Sequence, residues 1–139
     1  MDDSFEGFKC IEFPSEKEYD IVYVLCFAQV GNKKTPFYVG KSTQHTARLG
    51  YYISAKFTAS TDFRVGEAIK YLRHGLGLSV WVYYKQSQNV ARDEQQMIDE
   101  LGKSYRLLNN AKALGYEYKT ADEAVVRARI HAFIKQMVG

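Results

Sequence analysis

A chain of 139 residues with 46% apolar and 25% charged residues has ordinary globular composition, which excludes a disordered chain and supports one core without a staple. Net charge is +3 but unevenly spread: positions 1–20 hold seven acids against two lysines, and 31–75 hold eight bases against two acids. No run of 18 apolar residues suits a membrane span, no basic-then-apolar leader opens the chain, and Cys10 and Cys26 fit free thiols in a reducing compartment. The sequence therefore predicts a single soluble, cytoplasmic domain over 1–139, with an acidic arm at 1–20 and no membrane partner.

Residues 21–30 (IVYVLCFAQV) are almost unbroken apolar, β-branched and aromatic, and too short for a typical helix, so they read as a buried strand. The turn at 31–35 (GNKKT) leads into Phe37-Tyr38-Val39, ending at Gly40, as a hairpin or short meander; Pro36 is tolerable where that strand begins. Ser42 or Thr43 can cap a helix to about Phe57, with Leu49, Tyr52, Ile53 and Phe57 on one face. A second helix is expected after Thr61, with the stripe Val65, Ala68, Ile69 and Leu72 and a stop near Gly75. LSVWVYY at 78–84 reads as a third strand. Asn89 caps a third helix to Leu101, which Gly102 terminates, and an irregular piece then closes on Asn109 and Asn110. Thr120-x-x-Glu123 is a capping box that opens a last helix (120–138) carrying Ala124, Val125, Ala128, Phe133, Ile134 and Met137. The expected class is α/β (α+β): a small three-stranded sheet flanked by helices, in the order ββααβα plus a C-terminal helix.

Functional sites are sought where local rules break. Stepping from Ala91 by three or four lands on Glu94 and then Ile98, which puts an acid on an apolar stripe. Such a carboxylate is costly unless it is paired or binds a metal, although the helix dipole or a neighbouring arginine also accounts for it. Tyr23 and Tyr38 sit centrally in apolar strands, where a structural tyrosine is the ordinary reading. Arg48 lies at the margin of the first helix's apolar face, where arginines commonly snorkel. His45, His74 and His131 show no metal-ligand spacing.

In this order these residues resemble the GIY-YIG nuclease family. Ile21-Val22-Tyr23 matches the first half-motif and Tyr38-Val39-Gly40 the second. Arg48 follows on a helix, and Glu94 leads to Leu107-Leu108-Asn109. The resemblance covers roughly 21–110, a GIY-YIG-like core, and is nearest to stand-alone phage or bacterial members, with a fainter likeness to the phage endonuclease II type. It departs at Ile21-Val22, where the family has Gly-Ile.

The resemblance implies a metal-dependent DNA endonuclease that hydrolyses phosphodiesters, with Tyr23 and Tyr38 activating water and Arg48 stabilising phosphoryl charge. Glu94 would hold one Mg²⁺ or Mn²⁺, a role that suits a single isolated acid because Mg²⁺ is often bound through one carboxylate, waters and phosphate. Lys41 would touch phosphate or depress a tyrosine's pKa, Gly40 would support the second motif, and Asn109, in competition with Asn110, would brace the site. Lys33, Lys34, Lys56, Arg64, Lys70 and Arg73 would grip double-stranded DNA by its phosphates. A homo-oligomer is expected, since one small domain offers little grip. The alternatives are an inactive nucleic-acid-binding module on the same scaffold and a small protein-interaction domain.

Overall fold

The computed structural model describes residues 4–5, 8–11, 20–28, 34–42, 60–109 and 123–138. Among these residues the strands are β1 (Ser4–Phe5), β2 (Phe8–Ile11), β3 (Ile21–Ala28), β4 (Thr35–Ser42) and β5 (Ser79–Gln86). The helices are α1 (Ser60–Lys70), α2 (Val90–Gly102) and α3 (Glu123–Val138). The mixed α/β class is as expected. The three expected strands are β3, β4 and β5, which form one antiparallel unit with β3 between its neighbours. The acidic arm adds β1 and β2 on the far side of β5, giving five strands in the order β1-β2-β5-β3-β4. That extension is a non-local pairing, Cys10 opposite Tyr83 and Ile11 opposite Val82, which no local pattern in a charged arm announces.

The apolar run of β3 is buried along its whole length because helices cover both faces of the sheet. Ile21, Tyr23, Leu25 and Phe27 alternate onto one face and pack with α1 and α3. Val22, Val24 and Cys26 take the other face and pack with Val39, Tyr83 and the α2 residues Met97 and Leu101. The β3–β4 register shifts between Leu25 and Cys26, so Leu25 faces Tyr38 while Cys26 faces Pro36. Phe37 is thereby an extra residue, and it joins Tyr38 in the first cluster.

In α1 the expected stripe Val65, Ala68, Ile69 and Leu72 is buried. The helix then widens over Tyr71–Gly75: the Leu76 amide donates five residues back to the Tyr71 carbonyl at 2.9 Å, the pattern of a π-helical turn. Gly75 permits this, because a β-carbon there would lie 2.6 Å from the Tyr71 ring. Gly77 turns the chain into β5 with a positive φ of 66°, a region that favours glycine.

Two helix stripes are rotated from expectation. The inward residues of α2 are Val90, Met97, Ile98 and Leu101, and Ala91 faces solvent, because Met97 offers far more apolar surface than Ala91 does. In α3 the buried set is Val126, Ile130, Phe133 and Ile134, whereas Ala124, Val125 and Ala128 are exposed. The i, i+4, i+7, i+8 spacing of the former collects the largest side chains on one face. The helix expected to run to about Phe57 and the Thr120 cap lie outside the described residues. Among the described residues no helix is long and apolar enough to cross a membrane.

Candidate functional site

Pairing of β3 with β4 places Tyr23 opposite Gly40. The phenol of Tyr23 lies directly on Gly40, where an added β-carbon would collide with its Cζ, Oη and Cε2 atoms. Gly40 is thus required by Tyr23, a dependence that spacing alone does not reveal. Tyr38 stands beside them, its ring centroid 6.4 Å from that of Tyr23 and tilted by 46°. Both tyrosines belong to the cluster packed under α1 and α3, and Tyr23 is fully buried while Tyr38 is 8% exposed.

Lys41 follows Gly40 and therefore points to the opposite face of the sheet. There its Nζ lies 3.9 Å from Oε1 of Glu94. Lys41 meets Glu94 and neither tyrosine, so alternation along β4 overrides the expectation that it would act on a tyrosine's pKa. Glu94 sits between Val90 and Met97 on the inward stripe of α2, with its side chain 21% exposed. Burial raises its carboxyl above the usual glutamate range, and the Lys41 ammonium pulls it part of the way back.

The start of α2 is fixed by a small polar network. Asn89 Oδ1 accepts from the Arg92 amide at 3.2 Å, and Ser87 Oγ donates to Asp93 Oδ2 at 2.6 Å while accepting from the Asn89 amide at 3.1 Å. The Ser87 hydrogen bond holds the Asp93 carboxyl below its usual range. This arrangement sets the phase in which Glu94 meets the sheet.

Asn109 is bonded to the outer edge of β4. Its Nδ2 donates to the Val39 carbonyl at 2.7 Å and its Oδ1 accepts from the Val39 amide at 2.8 Å. The Leu108 amide adds a bond to the Phe37 carbonyl at 2.7 Å. Residues 108–109 thus dress the outer edge of β4 as a short false strand, between the tyrosine pair and Lys41.

Arg48, Lys33, Lys56 and Asn110 lie outside the described residues. Arg64 is 8% exposed, so it is no surface phosphate contact; its place between Phe63 and Val65 carries it into the packed side of α1. Lys70 is half-buried and Arg73 exposed. Lys34 lies with its ammonium 4.3 Å from the centroid of Trp81. The structure brings together Tyr23, Tyr38 and Gly40 on one face, and Lys41 with Glu94 on the other. Among the described residues no group of three or more His, Cys, Asp or Glu side chains could hold a metal.

Sequence reasoning missed Lys85, which shares Val22 as register partner with Lys41 and so adds a second cation to that face. It also passed over a cavity of about 450 Å³ at the far end of β5. A lone tryptophan close after an Arg-His pair was the available signal. Comparisons with protein-family models, curated proteins and solved structures find no match for this chain.

Proposed function

We propose that this protein is a metal-dependent DNA endonuclease of the GIY-YIG type, acting on double-stranded DNA as a homo-oligomer. The observation that carries the reading is the seating of Tyr23 on Gly40, which joins the two half-motifs in one steric unit at the end of β4, where the next residue, Lys41, reaches Glu94 on the opposite face. A half-buried carboxylate whose charge is poorly compensated suits a hard divalent cation held by one acid, waters and phosphate. Glu94 would hold that Mg²⁺ or Mn²⁺, which supplies a polarised phosphate and a water of lowered pKa when bound. Lys41 supports the incoming phosphate electrostatically, and Arg48 offers it a planar fork of donors. Tyr38, at the rim of its cluster, positions the scissile group. Tyr23 orients the attacking water once DNA has uncovered its hydroxyl. Lys34, Lys70 and Arg73, together with Lys33 and Lys56, hold the duplex through phosphates.

A second reading has its own support. Tyr23 is fully buried and the tyrosines lie on the face opposite Glu94, an arrangement suited to a nucleic-acid-binding module that does not cut.

Plasmid nicking separates the two. The endonuclease nicks with Mg²⁺, stops with EDTA, and loses activity in Glu94→Gln by about 10²-fold or more, the scale of one electrostatic contact to a transition state. Nicking that survives in Glu94→Gln overturns the assignment of Glu94. Salt-dependent binding without any nicking selects the second reading.

A further inference from the structure

Lys41 Nζ lies 3.9 Å from Glu94 Oε1, beyond the roughly 2.7–3.2 Å of a hydrogen bond, so charge alone holds the pair. Among the described residues no other cation pairs with Glu94. The adjacent acid, Asp93, is engaged elsewhere: Ser87 Oγ donates to it at 2.6 Å, and Arg92 pairs with it. One carboxylate therefore faces one ammonium. The Lys41 side chain is 48% exposed and ends a flexible four-carbon stem, so it leaves the carboxylate without disturbing any packing. Glu94 is 21% exposed and stays in place on α2.

An ammonium and a divalent cation are drawn to a carboxylate by the same attraction, and they repel each other beside it. The divalent cation carries twice the charge and binds carboxylate oxygen directly. A loosely paired lysine therefore yields to it once enough metal is present.

We propose that Lys41 is a tethered competitor for the divalent-cation seat on Glu94, holding the carboxylate until the metal displaces it and then turning to phosphate. The inference rests on the assignment of Glu94 as metal ligand in the proposed function. It also couples metal to DNA. The Lys41–Glu94 pair is neutral as a unit and offers phosphate no net charge. With a divalent cation added and Lys41 released, the same surface is doubly positive, so phosphate is attracted only when the metal is present.

Lys85 supplies the control. Both lysines are register partners of Val22 and share its face, two strands apart, or about 10 Å across the sheet. The charge of Lys85 acts on Asp93. Lys41→Met and Lys85→Met thus remove the same charge from the same face, but only the former removes the competitor.

The measurement is a Mn²⁺ titration of the full chain without DNA in about 0.1 M salt, where the screening length is about 10 Å. It is read as paramagnetic broadening of the backbone amide of residue 94. Lys41→Met should lower the Mn²⁺ concentration at half-maximal broadening about tenfold, since it removes both an ion pair and a repulsion on the metal. Lys85→Met should lower it less than about twofold, because salt screens a charge at that separation. Lys41→Arg keeps a cation on the carboxylate and should not tighten binding. Glu94→Gln should abolish the broadening at this amide. Broadening that requires Glu94 but is unchanged or weakened in Lys41→Met overturns the competitor role and leaves the metal reading standing. Equal tightening by the two methionine variants also overturns it, because the effect would then belong to the general field of the face. Absence of broadening in both the parent and Lys41→Met overturns the metal assignment of Glu94, and the proposal falls with it.

Discussion

The two faces of the sheet meet at the end of β4 but are built on different physics. On the face of α1 and α3, Tyr23, Tyr38 and Gly40 are fixed by contact: a ring lies where a β-carbon would be, inside a large apolar cluster. On the face of α2, one residue further along, Lys41 and Glu94 sit 3.9 Å apart and half-solvated, held by charge. Packing is short-ranged and steep, whereas a partly exposed ion pair is soft. Substitutions on the first face should therefore cost folding, and substitutions on the second should chiefly change titration and chemistry.

The steepest way to break this contrast is Gly40→Ala. The added methyl group has no space against Tyr23, so we expect destabilisation of about 3 kcal/mol, the upper range of overpacking. Tyr23→Leu removes the three ring atoms that collide. The double variant should then be more stable than the two single costs predict by about 1–2 kcal/mol, read from denaturant midpoints. Strictly additive costs would show that the two residues do not touch.

This dependence marks the limit of what the sequence disclosed. The burial of β3, the cap at Asn89 and the Val65–Leu72 stripe were legible because each is written in adjacent residues. The seating of Tyr23 on Gly40 and the reach of Lys41 to Glu94 depend on strand pairing and on the phase of α2. The phase of α2 departs from its apolar pattern at Ala91, since a methyl group weighs little against Met97 in deciding which side is buried. Glu94 kept its inward place because either phase passes through it. In α3 the same weakness appears: small alanines blurred a stripe that Val126, Ile130, Phe133 and Ile134 define once size is counted.

Asn109 secures the strand end that both faces share, and its loss should cost less than a clash. Asn109→Leu removes both bonds to Val39 and leaves that amide and carbonyl unsatisfied at a partly buried edge. We expect about 2 kcal/mol of destabilisation, with faster hydrogen exchange at the Val39 amide. Asn110→Leu should leave that amide's exchange unchanged, and the reverse result would transfer the bracing role to Asn110.

The α2 face can be tested without touching its charges. Asn89→Ala removes the acceptor for the Arg92 amide and should cost about 1 kcal/mol, whereas Asn89→Gly should cost a few tenths, about 0.3 kcal/mol. If α2 frays from this end, the Glu94 resonance should shift in Asn89→Ala while those of Tyr23 and Tyr38 stay in place. Movement of the tyrosines would mean that the two faces are coupled more tightly than their separate packing implies.

The smallest effect carries the sharpest sign. Burial raises the Glu94 carboxyl in the folded chain, and Lys41 only partly offsets this. At low pH the residue is protonated in both states and does not influence stability. As pH rises through the ordinary glutamate range, the unfolded chain releases its proton first. The folded chain then holds more protons, so stability falls with rising pH until the folded group has ionised as well. Above both values the full cost of the buried charge remains. Glu94→Gln carries no such charge, so without metal it should melt slightly higher than the parent at neutral pH, and the gap should close on acidification. Lys41→Met removes the cation that favours ionisation, so it should raise the Glu94 carboxyl further and lower the neutral-pH melting temperature. A series of thermal melts in EDTA across this range measures both. If Glu94→Gln instead melts lower at neutral pH, attraction to Lys41 outweighs burial. Glu94 would then be a structural ion-pair partner, without the uncompensated charge that makes it a ligand for a divalent cation.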